Sequence, residues 1–442
     1  MKKIKLLALL VAGATLSPIT LAQTTLQYWT LLNGGDGARM KQLVDGFNAS
    51  QGDYKIETTT LNWGEPFYTK LKTASAMGSG PDMATIHLSK ISGLTQTQGL
   101  EPINPEVLKQ AGYDSNQLFP LLWKQSNVDD KTYALPIDTH AMVLYYNKRI
   151  AAKAGLLDEQ GRLKPIASLA QFDAALKSVK EQGAMGLSME TSPMSYMPYR
   201  LWLSMISQQG GKTIENNEFV YGEAGKQAMA AMARWYADGY ATKGLDYASS
   251  TTEFMTGRSA FMLNGVWELP SVTDGMKSGK LGFEVGIASL PSFFNGSRAA
   301  WADSHALAIP RNKDKPISDE KVLGIAKFAN YINQNALTWA EGGHIPAYEP
   351  TVATQAFKEM PLLADYVSET ASNIVYDPDG WYSGAAGPLQ ATASKYFPAA
   401  LTGQLPIEKA LQMFERDAGK FMSRPARYVT LQCQVRGLCR GA

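Results

Sequence analysis

Cysteine and histidine are scarce in this 442-residue chain: Cys433 and Cys439 are the two cysteines, and His87, His140, His305 and His344 the four histidines. Two cysteines near one end, with no histidine pair beside them, make no zinc motif, and a small local disulfide is the reading left open for them. The histidines are scattered along the chain and form no His-Glu-x-x-His, and no Gly-x-Ser-x-Gly elbow occurs. No catalytic residue, metal site or cofactor is therefore expected. An excess of charge is also missing, with 42 basic against 40 acidic residues. Such a balance gives no electrostatic case for nucleic acid. Long apolar runs are absent as well. The one stretch that stands out, Leu6 to Gly13, is shorter than the roughly 20 residues a membrane span needs.

That stretch follows the basic start Met1-Lys2-Lys3-Ile4-Lys5 and leads to Thr20-Leu21-Ala22, the pattern of a secretory signal peptide over 1–22, cleaved after Ala22. No cysteine follows to take a lipid, so a periplasmic protein starting at Gln23 is expected. Cleavage removes three lysines and no acid, leaving 39 basic and 40 acidic residues in the mature chain.

The mature start alternates strand and helix. Leu26 to Leu31 is β-rich and ends at the turn Asn33 to Gly37, and Met40, Leu43, Val44 and Phe47 then share one helical face. Tyr54 to Thr60 is a second strand, Glu65 to Met77 a second helix and Met83 to Ile86 a third strand. This order predicts a parallel, doubly wound α/β sheet, whose ligands bind at the carboxyl ends of the strands. A second pattern opens with the strand Ala141 to Tyr146 and the helix from Arg149 to Ala154. Further helices are expected at Leu169 to Gln182, Tyr199 to Gln208, Ala224 to Asp238 and Asp319 to Asn333. No repeat or Gly/Ser linker divides the chain, which suggests several crossings between two domains.

Four motifs in order carry a resemblance: Gly80-Pro81-Asp82; Tyr133 to Pro136 followed by Leu144 to Lys148 and Ala154-Gly155-Leu156; Phe254 to Trp267; and Gly343 to Ala347. With them, roughly Leu26 to Met422 resembles the extracellular solute-binding proteins of sugar ABC importers, the maltose-binding-protein-like group. The resemblance implies a two-lobed periplasmic-binding-protein fold of type II, with doubly wound sheets, a central ligand cleft and three crossovers near Asp138, Ser304 and Pro346. It implies an N-terminal lobe of 23–138 and 305–345, a C-terminal lobe of 139–304 and 346–422, and a tail of 423–442. It further implies a sugar or oligosaccharide ligand held by lobe closure, a membrane permease as partner, a monomer, and neither membrane insertion nor nucleic-acid binding.

Sugars present apolar faces that stack on aromatic rings, and hydroxyls that need placed donors and acceptors. Among nine tryptophans, Trp123, Trp235 and Trp339 are expected to be core. Trp267 matches the family's cleft tryptophan, and Gly265 beside it lets the backbone approach a ligand. Trp63 after the second strand, Trp301 before the second crossover and Trp381 in Asp379-Gly380-Trp381-Tyr382 are further candidates. The polar candidates are Asn33 and Asp36, for which helix capping is the alternative, and His87, Ser89, Asp138 and His140. Tyr196, in a loop before a helix, completes the set. At Ile86 and Ser89 the chain departs from maltose-binding protein, which puts maltodextrin specificity in doubt.

Three rivals stand beside this reading. A sugar-phosphate or polyol-phosphate binder of the same fold would use the Asn33 to Gly37 turn as an anion site. An exported glycoside hydrolase would need two carboxylates about 5–9 Å apart, and no pair at matching strand ends suggests itself. A ferric-ion binder is suggested by Tyr145-Tyr146, but adjacent strand residues point to opposite faces.

Overall fold

The computed structural model describes residues 23–294 and 296–424. The leader and the Cys433–Cys439 pair lie outside them.

The first sheet has five strands in the order Tyr54–Thr60, Thr24–Thr30, Met83–His87, His305–Ala308, Ala134–Pro136. Its first three run parallel, in register from Thr24 opposite Tyr54 to Thr30 opposite Thr60. The expected β-α-β-α-β start is thus present. Alternation puts Leu26, Tyr28 and Thr30 inside, and the helix Gly34–Ser50 covers them with Met40, Leu43, Val44 and Phe47, the face its 3.6-residue spacing predicts.

The second sheet is built on the ten-residue strand Asp138–Asn147, every residue of which is buried. This strand pairs in succession with Ile345–Pro346, Ala300–Asp303, and, along its far half, Ser259–Gly265 on one side and Val285–Ser289 on the other. Successive side chains leave opposite faces. Tyr146 joins one apolar cluster, and Tyr145 joins another. The Tyr145 hydroxyl donates to Gly265 O at 3.0 Å, while the Tyr146 hydroxyl accepts from Leu163 N at 3.2 Å. The two phenols therefore share no ion, and the ferric reading loses its residues.

The chain changes sheets three times. It leaves the first sheet at Pro136 and enters the second at Asp138, returns between Asp303 and His305, and crosses again at Ile345–Pro346, paired with Thr139 and Asp138. Each lobe has its own core, one around Leu26, Ile86 and Phe328 and the other around Leu144, Trp202 and Trp235. Among the described residues no helix is long and apolar enough to cross a membrane.

Candidate functional site

The three sheet changes lie side by side, and this brings distant residues together. Asp138 opens the long strand and has no exposed surface. Its carboxylate accepts from His305 N at 2.9 Å, His305 Nδ1 at 2.8 Å, His140 Nδ1 at 3.1 Å and Trp339 Nε1 at 2.7 Å. His344 reaches across to Asp36 Oδ1 through Nε2 at 2.9 Å. His87 closes the group, its ring 5.0 Å from that of His305 and 5.8 Å from that of His140. The four histidines, scattered along the sequence, all meet at the junction: His87 and His305 are paired at neighbouring strand ends, His140 is in the strand Asp138–Asn147, and His344 immediately precedes Ile345–Pro346.

Burial sets the protonation of this group. It raises the Asp138 carboxyl, but His305 and His344 beside it outweigh that and hold Asp138 well below the usual carboxylate range. His140 is pushed down to about 3, by burial first and then by His305. His87 also falls well below the ordinary value, again chiefly through burial. These two imidazoles are neutral.

Next to the histidines stands an aromatic box around one cation. Arg200 lies in the helix Met197–Gln208 and is 5% exposed. Its guanidinium is 4.1 Å from the Trp301 ring centre, 5.6 Å from Trp267 and 5.9 Å from Trp63, so three tryptophan faces surround it. Arg200 Nε has no hydrogen-bond partner among the described residues. The helix is set in place by Glu190, whose carboxylate accepts from the backbone N–H groups of Tyr196 and Met197 at 2.8 and 2.9 Å. Trp301 is fixed by its Nε1, which donates to Asp377 Oδ2 at 2.9 Å. Trp267 is fixed by donation to the Tyr247 hydroxyl at 2.9 Å, and that hydroxyl donates to Glu268.

The far wall belongs to the other lobe. Trp63, 38% exposed, stands 5.9 Å edge-on to His87 and 6.0 Å from Tyr196 across the gap. Ser89 donates through N and Oγ to Asp303 and accepts from Ala385 N at 3.2 Å. Lys90 Nζ donates to Ser383 O at 3.3 Å. Burial raises the Asp303 carboxyl to about 6 and lowers the Lys90 ammonium to about 8. Aromatic rings and polar groups from the two lobes thus meet at this junction.

Of the sequence candidates, Trp63, His87, Ser89, Asp138, His140, Tyr196, Trp267 and Trp301 are brought to this junction, and Asp36 reaches it through His344. Asn33 is not: its side chain is exposed and Nδ2 donates back to Leu31 O at 2.9 Å, with no cap on the helix. The indole of Trp381 turns toward the last helix, where it packs on Phe421 and donates to Arg424 O at 2.9 Å. Gly265 plays a different part from the one its sequence suggests. A Cβ there would lie 2.1 Å from the Trp267 ring, so the glycine makes room for the chain's own indole rather than for a ligand. Trp339 is buried as expected, yet it is bonded to Asp138 and stacked on His344 at 4.8 Å rather than being simple filler. Lys90, Glu190, Arg200, Asp303, His305, His344 and Asp377 were missed. An arginine amid the apolar run Met197 to Met205 was the one legible signal, since charged residues are rarely fully buried.

A family described as bacterial extracellular solute-binding protein matches residues 42–365. The sn-glycerol-3-phosphate-binding periplasmic protein UgpB of Brucella melitensis biotype 1 is 25% identical over 395 residues, covering 78% of this chain and 81% of its own. The protein of that name from Shigella dysenteriae serotype 1 is 26% identical over 389 residues, covering 82% and 84%. Among solved structures, the GacH receptor of Streptomyces glaucescens, determined unliganded and with acarbose, superposes with a TM-score of 0.75 at 19% identity, covering 90% of this chain and 98% of its own. An ABC substrate-binding protein of Listeria monocytogenes in complex with cycloalternan gives 0.75 at 20% identity, covering 90% and 99%. At these identities the likeness is one of fold.

Proposed function

The chain belongs to the bacterial extracellular solute-binding proteins, and we propose that its solute is a sugar or oligosaccharide, bound in the periplasm and handed unchanged to the permease of an ABC importer. The observation that carries this reading is the box of Trp63, Trp267 and Trp301 around Arg200, drawn from both sides of the junction. Flat rings in this reading pack the C–H faces of a pyranose, and Arg200 takes its hydroxyls. In this reading the lobes 23–138 with 305–345 and 139–304 with 346–422 close on the ligand. A solute touching both walls binds the closed state more tightly and draws the population toward it.

Screening thermal midpoints against mono-, di- and oligosaccharides tests the reading, because a ligand bound only by the folded state raises the midpoint. A rise with neutral saccharides is expected. No rise with any carbohydrate, or the appearance of new reducing ends, would overturn it. The second reading, a sugar phosphate or polyol phosphate, draws on Arg200, a buried cation whose Nε has no hydrogen-bond partner among the described residues. It is also what the names of the relatives quoted above suggest. Glycerol 3-phosphate in the same screen separates the two.

Closure has its own test. A Cβ on Gly35 would sit 2.5 Å from Cβ of Pro270, a residue of the facing lobe. Gly35→Val is expected to hold the walls apart and weaken the best ligand by about tenfold, close to 1.4 kcal/mol. Calorimetric titration gives the affinity and small-angle scattering of the liganded protein gives the opening. An unchanged affinity would place closure elsewhere.

A further inference from the structure

We infer that Asp138, His140, His305 and His344 bind one divalent transition-metal ion, with zinc the best match to their chemistry. One carboxylate oxygen and one imidazole nitrogen from each of the three histidines all lie within 4.8 Å of one another, and all four residues are buried. Three imidazoles, each deprotonated at its ligating nitrogen, with one carboxylate are a tetrahedral zinc set, with bonds of about 2.0–2.2 Å. A modest contraction around a central ion brings the donors to that geometry.

The arrangement around His344 goes beyond a satisfied hydrogen-bond network. Its Nε2 is committed to Asp36 at 2.9 Å, which leaves Nδ1 turned toward Asp138 Oδ2 at 3.3 Å with no hydrogen bond, although it is fully buried. That 3.3 Å approach is closed either by a proton on Nδ1, which pairs it with the Asp138 carboxylate, or by a cation held between the nitrogen and the carboxylate. The carboxylate partner on the far nitrogen is also how histidine ligands are oriented in metal sites, and the Trp339 indole holds Asp138 in the same way. His140 and His305 reach the same state when each shifts its Nδ1 proton to Nε2, so that their lone pairs replace N–H groups around Asp138. The ligands come from the three places where the chain changes sheets. An ion here ties those crossovers to one another at the foot of the aromatic box, because the His140 ring lies 5.8 Å from Trp267. The competing occupant is a proton on His344 Nδ1.

Metal-stripped full-length protein is titrated with zinc chloride against a competing chelator. One zinc per chain and a higher thermal midpoint are expected. Cobalt(II) in the unsubstituted protein is expected to give the visible bands of a tetrahedral site without thiolate charge transfer, which excludes Cys433 and Cys439 as its ligands and needs no variant to fold. His344→Gln and His305→Gln, checked for folding by circular dichroism, are expected to lose about a hundredfold in zinc affinity or more. Absence of stoichiometric zinc from the unsubstituted protein overturns the inference in favour of the proton, and so does undiminished binding in both variants. The saccharide screen run on the metal-free protein reports separately on solute binding, so failure of one leaves the other intact.

Discussion

Trp267→Ala is expected to weaken binding of the best saccharide by about a hundredfold, near 3 kcal/mol, while the protein stays folded. The indole is half-buried against His140 and Trp301, with ring centres 5.8 and 6.5 Å away, and it walls Arg200 on one side. Truncation removes a stacking face and lets water reach the guanidinium, which lowers what the cation and the remaining rings contribute. The fold tolerates the change because Trp267 stands in the short turn Val266–Glu268, and the Tyr247 hydroxyl it loses still donates to Glu268. Trp267→Phe, which keeps a ring but not the Nε1–H, is expected to fall between the two. Calorimetric titration alongside the thermal midpoint checks the series. An affinity within twofold of the unsubstituted protein would remove Trp267 from the site.

How far the sequence could lead depended on the range of the signal. Met40, Leu43, Val44 and Phe47 lie within two turns of one helix, so their shared face was readable from spacing alone. The strand read as Ala141 to Tyr146 begins three residues earlier in the structure, at Asp138. Polar Asp138, Thr139 and His140 carry no hydrophobic pattern, and they are strand only because Ile345–Pro346 and Ala302–Asp303 pair with them. The same non-local pairing hid the histidine junction. His140 and His305 are 165 positions apart, yet their rings stack at 4.3 Å, and no local rule joins them. Gly265 shows the opposite limit: its need for space was legible, but whether an indole or a ligand fills that space was not. Trp381 lies where the resemblance implies a cleft aromatic, and its partner turns out to be the last helix, through Phe421. Resemblance located the junction, and packing decided which side chains enter it.

Asp138→Ala tests what that junction contributes to stability, and in the metal-free protein it is expected to cost on the order of 4 kcal/mol. The carboxylate accepts from the Trp339 indole, the His305 ring and backbone N–H, and His140, all of them buried. Removing it leaves those donors without an acceptor where water does not reach. Each abandoned donor costs about 1–3 kcal/mol, less than additively because the rings share one carboxylate and relax together. The cavity adds little beside this, since the side chain is small. Asp138→Asn keeps the shape but offers one oxygen and turns an N–H₂ group toward donors, so it is expected to recover only part of the loss. Urea unfolding followed by tryptophan fluorescence gives both values. A cost below about 1 kcal/mol for the alanine variant would mean that water or a rearranged ring replaces the carboxylate. The three crossovers would then be held by their strand pairing alone, and Asp138 would be a bystander at the hinge rather than the point to which its histidines are anchored.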